Sequence, residues 1–326
     1  DTVKTRVIAR KSKFIKGGVC IMGNLIFNAF AFKEDYLNSP QIGGTVSKKT
    51  IDIYMKNVCV SLCTAKEKNP QDDVALVTNC SLPIEYEHLL TDKNIRIIGI
   101  EFNDYIMPRT FVWSLAFFKL CALKYILNNT SYEKILLLDT DTITVNGFRE
   151  LWLESDHGLL LYNINHSFEH KDRQVIIRDY QHLYQSTQIP IHYGGEFICG
   201  TQTCLKKFIE ECDRVYEVIK ENDFGISKST GDETIISIAA MNMDNVIEAG
   251  AYVYRYWTGK FYLVSTNYIY NPIPIWHIPS EKSDGIIRIY NLLKEDSLNI
   301  NKMARILGFP KSHRPFNIGY LFIRVL

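Results

Sequence analysis

Short apolar runs recur along the chain, and polar or helically spaced stretches separate them. The clearest run lies at 134–138, where four consecutive apolar residues lead into two carboxylates, Asp139 and Asp141. A continuous apolar run of this length is typical of a strand that is buried on both faces of a parallel sheet. Similar runs predict further strands at 24–32, 73–78, 95–100, 159–162 and 191–201.

Segments with helical spacing lie between most of these strands. Apolar residues recur there every three or four positions, which predicts helices at 50–65, 86–90, 110–127, 148–153, 203–222 and 235–241. The alternation of strands and helices indicates an α/β fold, with a mostly parallel central sheet flanked by helices in one Rossmann-like domain. We assign this domain to residues 1–284 and expect residues 285–326 to form a helical extension packed on it.

Less regular segments complete the pattern. Residues 174–184 have mixed polarity and fit a helix or a loop, whereas 252–256 and 261–264 fit strands or strand-like loops. The prolines of 273–282 favour an extended backbone. The end of the chain is basic and aromatic, which fits either a docked helix with solvated cations or peripheral contact with an anionic membrane. The residues concerned are Lys302, Arg305, Phe309, Lys311, Arg314, Phe316, Tyr320, Phe322 and Arg324.

Composition narrows the classes of function. The 326 residues carry a formal net charge of +1, and a near-neutral chain is not expected to bind nucleic acid broadly. No run of 18 apolar residues occurs, so we expect no transmembrane helix. The eight cysteines lie mostly in apolar segments and form no Cys-x-x-Cys pair. This usage favours a reduced, cytoplasmic compartment over a Golgi-type lumen.

The carboxylates after the 134–138 strand are the first candidate site. Ligands of open α/β sheets bind beyond the carboxyl ends of the strands, and buried carboxylates there need a compensating cation. A bend at Thr140 would let Asp139 and Asp141 approach one ion; alternatively, they cap a turn or the next helix. Mg²⁺ or Mn²⁺ suits such a pair, and a histidine ligand would shift the preference to Mn²⁺. His277 is the candidate, although it also fits an ordinary core or surface histidine.

Two further motifs carry candidate chemistry. Adjacent Gly194 and Gly195 suggest a positive φ or the close approach of a ligand to the backbone. Asp232 and Glu233 open a predicted helix, where acidic residues also favour the helix macrodipole. A site and a simple helix-terminal charge therefore both remain open for this acidic pair.

Taken together, residues 24–282 resemble retaining nucleotide-sugar glycosyltransferases of the GT-A fold, in particular the glycogenin-like family (family 8). Four features, in family order, carry the resemblance. They are the Phe117-Phe118-Lys119-Leu120 helix leading to Asp139-Thr140-Asp141, the Gly194-Gly195 strand, the Gly231-Asp232-Glu233-Thr234 segment, and His277 followed five residues later by Lys282.

The resemblance implies a role for each matching residue. Asp139, Asp141 and His277 would bind Mn²⁺, or Mg²⁺, and through it the diphosphate of a UDP-sugar, with Thr140 beside them. The other implied contacts to the donor are Lys282 at the phosphates, Arg109 and Lys119 near the sugar or phosphate, Asn28 and Phe30 under the uridine, Tyr36 stacked on the base, Gly194 and Gly195 beside the donor, and Asp232 at the sugar hydroxyls.

Glu233 departs from the glycogenin-like pattern, which has Gln at that position. Blood-group-type transferases (family 6) have an Asp-Glu pair there, and their Glu is a candidate nucleophile. The resemblance therefore implies that Glu233 and Asp232 are catalytic, with Glu233 forming a glycosyl-enzyme or stabilising an oxocarbenium-like ion. Both families retain the anomeric configuration, and the acceptor would be a glycan, a protein or a lipid-linked sugar.

Two other functions compete with this one. Asp139-Thr140-Asp141-Thr142 also resembles the first motif of haloacid-dehalogenase-type phosphatases, in which Asp139 would be the nucleophile and Asp141 the acid and base. That motif normally begins its domain, whereas 138 residues precede it here. A non-catalytic sugar-nucleotide-binding protein is the third possibility, and UDP binding without turnover would identify it.

Overall fold

The computed structural model describes residues 23–32, 48–256, 273–296 and 298–309. The strands are β1 (Asn24–Phe30), β2 (Asp73–Thr78), β3 (Arg96–Gly99), β4 (Lys134–Leu138), β5 (Thr142–Thr144), β6 (Leu159–Asn163), β7 (Tyr193–Thr201), β8 (Val246–Glu248), β9 (Val253–Arg255) and β10 (Ile275–His277). The α-helices are α1 (Lys48–Lys68), α2 (Ile84–Asp92), α3 (Phe118–Asn129), α4 (Arg149–Glu154), α5 (Lys171–Tyr184), α6 (Gln202–Glu221), α7 (Glu233–Ala239), α8 (Gly285–Lys294) and α9 (Ile300–Ile306).

Seven strands form the central sheet, in the order β3-β2-β1-β4-β7-β6-β8. Every strand except β7 runs in the same direction, since only the pairings of β7 with β4 and β6 are antiparallel. The strands β5, β10 and β9 form a second, three-stranded sheet. The predicted α/β fold, with a mostly parallel sheet flanked by helices, is confirmed.

Both faces of the central sheet are buried. In β4, Leu136 and Leu138 face a core shared with α1 and α8, whereas Ile135 and Leu137 face a core shared with α3, α6 and α7. Successive strand residues point to opposite faces, so burial on both faces favours apolar residues at successive positions. This is why the run that predicted β4 is continuous rather than alternating.

Several predicted bounds agree with the structure, and a few do not. The predicted strands at 73–78 and 134–138 coincide with β2 and β4. The prediction of one helix over 110–127 is wrong at its start, because i→i+3 turns and a 3₁₀ segment (Ser114–Phe117) precede α3. The three-residue strands β5 and β8 were not predicted, since they are too short to show a period. The segment 174–184 belongs to α5, and 261–264 lies outside the described residues.

The C-terminal residues are described as far as Phe309. Helix α8 packs on α1, and the Phe309 ring lies in the core, 5.0 Å from the ring of Trp276 between centroids. Lys302 and Arg305 are exposed on α9, and the remaining predicted basic and aromatic residues lie outside the described part of the chain.

Among the described helices, none has the length and apolar character needed to cross a bilayer.

Candidate functional site

The turn between β4 and β5 positions the two aspartates. The extended backbone of β4 ends at Leu138, and residues 140–141 form a turn, so the predicted bend at Thr140 is present. Asn28 Nδ2 donates to the carbonyl oxygens of Leu138 and Asp139, at 2.8 and 3.3 Å, and fixes this turn from β1. Asn28 is fully buried, so it supports the site from beneath.

The small sheet brings His277 to the same turn. Strand β10 pairs antiparallel with β5, with His277 opposite Thr142, and the backbone N–H of Ile278 donates to the Asp141 carbonyl. His277 Nε2 lies 3.2 Å from Asp141 Oδ2. One ligating atom each from Asp139, Asp141 and His277 lies within 4.8 Å of the others. Three predicted metal ligands from distant parts of the sequence therefore form one cluster.

The donor atoms of this cluster fit a divalent cation. Asp141 is buried, and its Oδ1 atom has no hydrogen-bond partner among the described residues. Two carboxylates and one imidazole are a ligand set that suits Mn²⁺. The carboxylates of Asp139, Asp141, Glu196, Asp232 and Glu233 face three fixed cations, which belong to Lys119, Arg255 and Lys282. A metal displaces the proton of a histidine ligand, so with His277 as a ligand the five carboxylates and three cations leave two excess negative charges, which one divalent cation would balance.

Lys119 connects the two pairs of acidic residues. Its Nζ atom, in the first turn of α3, lies 3.2 Å from Asp139 Oδ1 and 2.8 Å from Asp232 Oδ2. The same atom donates to the Gly195 carbonyl at 3.0 Å. The Asp232 side chain makes no capping hydrogen bond to α7, so its role is not that of a simple helix cap.

A second chain of contacts links the same two acidic pairs. Arg255 donates to Glu196 through Nε at 2.8 Å and through Nη2 at 2.6 Å, and its Nη2 atom also lies 3.1 Å from Glu233 Oε1. Glu196 Oε1 in turn contacts His277 Nδ1 at 3.1 Å. A continuous series of side-chain contacts therefore crosses the cluster, and each member is within hydrogen-bonding distance of the next. Its members, in order, are Glu233, Arg255, Glu196, His277 and Asp141.

The two glycines make room for these ion pairs. A Cβ atom on Gly195 would overlap the Asp232 carboxylate and lie 2.7 Å from Lys119 Nζ. A Cβ atom on Gly194 would overlap the Glu196 carboxylate and lie 2.8 Å from Arg255. Neither glycine has a positive φ. The expected close approach to the backbone is present, but the protein's own charged side chains make it, and only Gly195 lines the cleft.

Burial and charge shift the pKa values of the cluster in different directions. Burial raises the pKa of Asp232 to about 6; Lys119 opposes this shift and Asp139 adds to it. Burial alone would raise the pKa of Asp141 and of Glu196, but their cationic partners hold both well below the usual range. For His277, burial is outweighed by Asp141 and Glu196, which raise its pKa to about 9. The hydrogen bond from His192 and the charge of Arg255 likewise overcome burial and lower the pKa of Glu233.

The cluster lies in a cleft of about 1020 Å³, which is large enough for a nucleotide-sized ligand. Of the predicted site residues, those that line the cleft are Phe30, Lys119, Asp139, Thr140, Asp141, Gly195, Asp232, Glu233, His277 and Lys282. Lys282 Nζ lies 2.9 Å from Asp141 Oδ2. Arg109 is exposed and is not among the described residues that line the cleft, and Tyr36 lies outside the described residues.

Sequence reasoning missed Glu196, Arg255 and His192. A carboxylate inside an apolar strand is costly unless it is paired, so the sequence around Glu196 already indicates a buried charged partner. No local pattern indicates Arg255, because its position beside His277 depends on the register of β9 with β10. No protein-family model matches the chain, and no curated protein is detectably similar to it. Its function is therefore inferred from the geometry of the cleft.

Proposed function

We propose that this protein is a Mn²⁺-dependent, retaining glycosyltransferase of the GT-A type. It would transfer a hexose or pentose from a UDP-sugar to a hydroxyl group of a glycan, a protein or a lipid-linked sugar. The observation that carries the proposal is the convergence of Asp139, Asp141 and His277 beyond the carboxyl end of β4, next to the buried Asp232 and the half-buried Glu233. The chain order reverses between β1 and β4, and such switch points are where α/β sheets bind ligands.

The residues around the aspartates suit a nucleoside diphosphate. Asp139, Asp141 and His277 would hold the metal, and Lys282, beside Asp141, would contact the phosphates. When bound, Mn²⁺ would neutralise charge that develops on the departing diphosphate. Phe30 lines the β1 side of the cleft and its ring contacts that of Tyr54, with 5.6 Å between centroids. These rings offer an apolar surface on which the uracil base would lie.

The second acidic pair suits the reacting sugar. The lowered pKa of Glu233 keeps its carboxylate ionised at neutral pH. An ionised carboxylate there would either attack the anomeric carbon or stabilise an oxocarbenium-like ion electrostatically. Both routes retain the anomeric configuration. Asp232, which Lys119 holds at 2.8 Å, would bind hydroxyl groups of the donor sugar.

Donor hydrolysis is the direct test. The protein would be incubated with a panel of UDP-sugars (glucose, galactose, xylose and N-acetylglucosamine derivatives), with and without Mn²⁺, and UDP release would be measured. We expect release that requires Mn²⁺, that Asp141→Asn abolishes, and that Asp92→Asn, at an exposed carboxylate of α2, leaves unchanged. NMR of the sugar product would establish its anomeric configuration.

The other outcomes identify the competing functions. Phosphate release from p-nitrophenyl phosphate that is sensitive to Asp139→Asn and needs no nucleotide would establish the phosphatase. Calorimetric binding of UDP with Mn²⁺, without turnover of any donor, would identify a non-catalytic binding protein. If no UDP-sugar is bound or cleaved, the proposed function is wrong.

A further inference from the structure

A second group of metal-ligating side chains lies in the same cleft, away from Asp139 and Asp141. His166 and His170 lie between β6 and α5, Asp172 is in the first turn of α5, and all three are half-buried. One ligating atom from each lies within 4.8 Å of the others. None of the three belongs to the acidic cluster that the proposed function uses.

His192 lies between this group and Glu233 and contacts His166. Its Nε2 atom lies 2.9 Å from Glu233 Oε2, and an ionised carboxylate only accepts hydrogen bonds, so we assign the proton to Nε2. In the neutral ring Nδ1 is then an acceptor, and His166 Nδ1, 3.1 Å away, must be the donor. His166 Nε2 is left with its lone pair available. Metal-ligating histidines almost always donate their other ring N–H to a fixed acceptor, commonly a carboxylate or a backbone carbonyl; for His166 the acceptor is His192 Nδ1.

We propose that His166, His170 and Asp172 form a second metal site that binds a transition-metal ion of the Zn²⁺ class. Two imidazoles and one carboxylate are a ligand set of zinc sites that keep a fourth position open. All three residues line the cleft, so that position would face its interior. The ligand set has more nitrogen than that of Asp139, Asp141 and His277, which favours Zn²⁺ over Mn²⁺.

Metal binding requires a small rearrangement of the two rings. The His166 and His170 rings stack, with 3.4 Å between centroids and 15° between planes. Imidazole lone pairs lie in the ring plane, so one ring must turn before both can contact a single ion. The His170 side chain is 35% exposed and has room to do so. Rotation of the His170 ring would break the hydrogen bond that the Asp172 backbone N–H donates to His170 Nδ1. At 3.3 Å, this bond is longer than an ordinary hydrogen bond.

The test uses a background in which the first site is disabled. In Asp141→Asn protein, calorimetry with Zn²⁺ should show one equivalent bound per chain. Adding His170→Ala should weaken this binding more than about tenfold, because even supporting residues of metal sites contribute 10–100-fold to affinity. The control is His182→Ala, at an exposed histidine near the end of the same helix α5, which should leave the affinity unchanged.

Two results would overturn the proposal. One is equal Zn²⁺ affinity with and without His170; the other is an equal loss in the His182→Ala control, which would indicate scattered surface binding. If Asp141→Asn protein does not fold, the zinc content of dialysed wild-type and His170→Ala proteins decides instead, with one equivalent fewer expected in the variant. Failure of UDP-sugar turnover would leave this result untouched, because the measurement involves no donor.

Discussion

The cleft contains two pairs of carboxylates that are close in sequence, Asp139 with Asp141 and Asp232 with Glu233, and their surroundings differ. In the first pair, Asp141 has a strongly lowered pKa and a buried oxygen without a hydrogen-bond partner among the described residues. In the second pair, Glu233 is held by Arg255 and His192, and the pKa of Asp232 is raised. Fixed cations contact both pairs, but within the described part of the chain only the first pair has a histidine, His277, close enough to complete a group of metal ligands, and its Asp141 Oδ1 atom has capacity left for a cation.

Two connections join the pairs of carboxylates, one through a single side chain and one through three; we call each a bridge. Lys119 is a single cation that contacts Asp139 and Asp232 directly, whereas Arg255, Glu196 and His277 form a relay of three side chains from Glu233 to Asp141. Each bridge therefore crosses from one pair to the other. The comparison predicts that removing a bridge disturbs both pairs, whereas removing one carboxylate disturbs mainly its own function.

The largest effect is expected from Lys119→Met. Lys119 is 7% exposed, and its loss would leave Asp139 and Asp232 near each other without the cation between them. Breaking a buried ion pair on one side costs about 3–5 kcal/mol. Urea unfolding at pH 7 would measure this loss. Lys220→Met, at an exposed lysine paired with Glu217, should cost at most about 1 kcal/mol, and equal losses in the two variants would refute the role of Lys119 as a bridge.

The Mn²⁺ affinities of the Asp141→Asn and Asp232→Asn variants should show which pair of carboxylates binds the metal. Replacement of a ligating carboxylate is expected to weaken Mn²⁺ binding more than about 100-fold, since supporting residues alone contribute 10–100-fold. Asp232→Asn should change the affinity far less, because the Asp232 carboxylate contacts Lys119 rather than the metal cluster. Electron paramagnetic resonance of free Mn²⁺ would measure both. Similar losses in the two variants would mean that the pairs do not have separate roles.

The raised pKa of Asp232 gives a pH dependence with a definite sign. A carboxyl group whose pKa rises from 3.8 to about 6 on folding stabilises the protein below pH 4 and loses that contribution as the pH passes through 6. Relative to Asp232→Asn, the free energy of unfolding of the wild type should therefore fall by about 2 kcal/mol between pH 4 and 7. The difference between the two proteins cancels the titration of the other carboxylates. A flat difference between the two proteins would contradict the raised pKa of Asp232.

The sequence predicted the parts of this site whose signals are local. The 134–138 run ends where β4 ends, and the bend at Thr140 followed from two carboxylates that had to face one ion. His277 is a candidate ligand on sequence grounds alone, but only the family resemblance favours it over an ordinary histidine and selects Lys282, because no local pattern connects either residue to Asp139 and Asp141. The structure supplies that connection through three-residue strands, β5 and β10, of which β5 was too short to predict.

Long-range pairing also explains what the sequence could not indicate. Glu196 faces His277 because β7 is the one antiparallel strand of the described central sheet, which brings its start next to the end of β4. Arg255 reaches Glu196 because β9 lies beside β10 in register with His277. The direction and register of strands depend on the whole fold. A charged residue in an apolar strand indicates that a partner exists, but not which residue it is.

The smallest expected effect tests the relay and belongs to Glu196→Gln. Glu196 orients His277 through Nδ1, so its loss should weaken Mn²⁺ binding by about 10–100-fold at pH 9. It should also lower the pKa of His277, which Asp141 and Glu196 together raise to about 9. Mn²⁺ must displace the His277 proton, so wild-type affinity falls as the pH drops below 9, whereas the variant loses less.

The ratio of wild-type to Glu196→Gln affinity should therefore be largest at pH 9 and narrow towards pH 7. Dissociation constants measured by electron paramagnetic resonance at both pH values would test this, with Glu217→Gln, at an exposed glutamate of α6, as the control. A general loss of structure would weaken binding by a similar factor at both pH values. A ratio of affinities that narrows as the pH falls arises when Mn²⁺ competes with a proton on the metal ligand, His277. That result would establish Glu196 as the residue that positions His277.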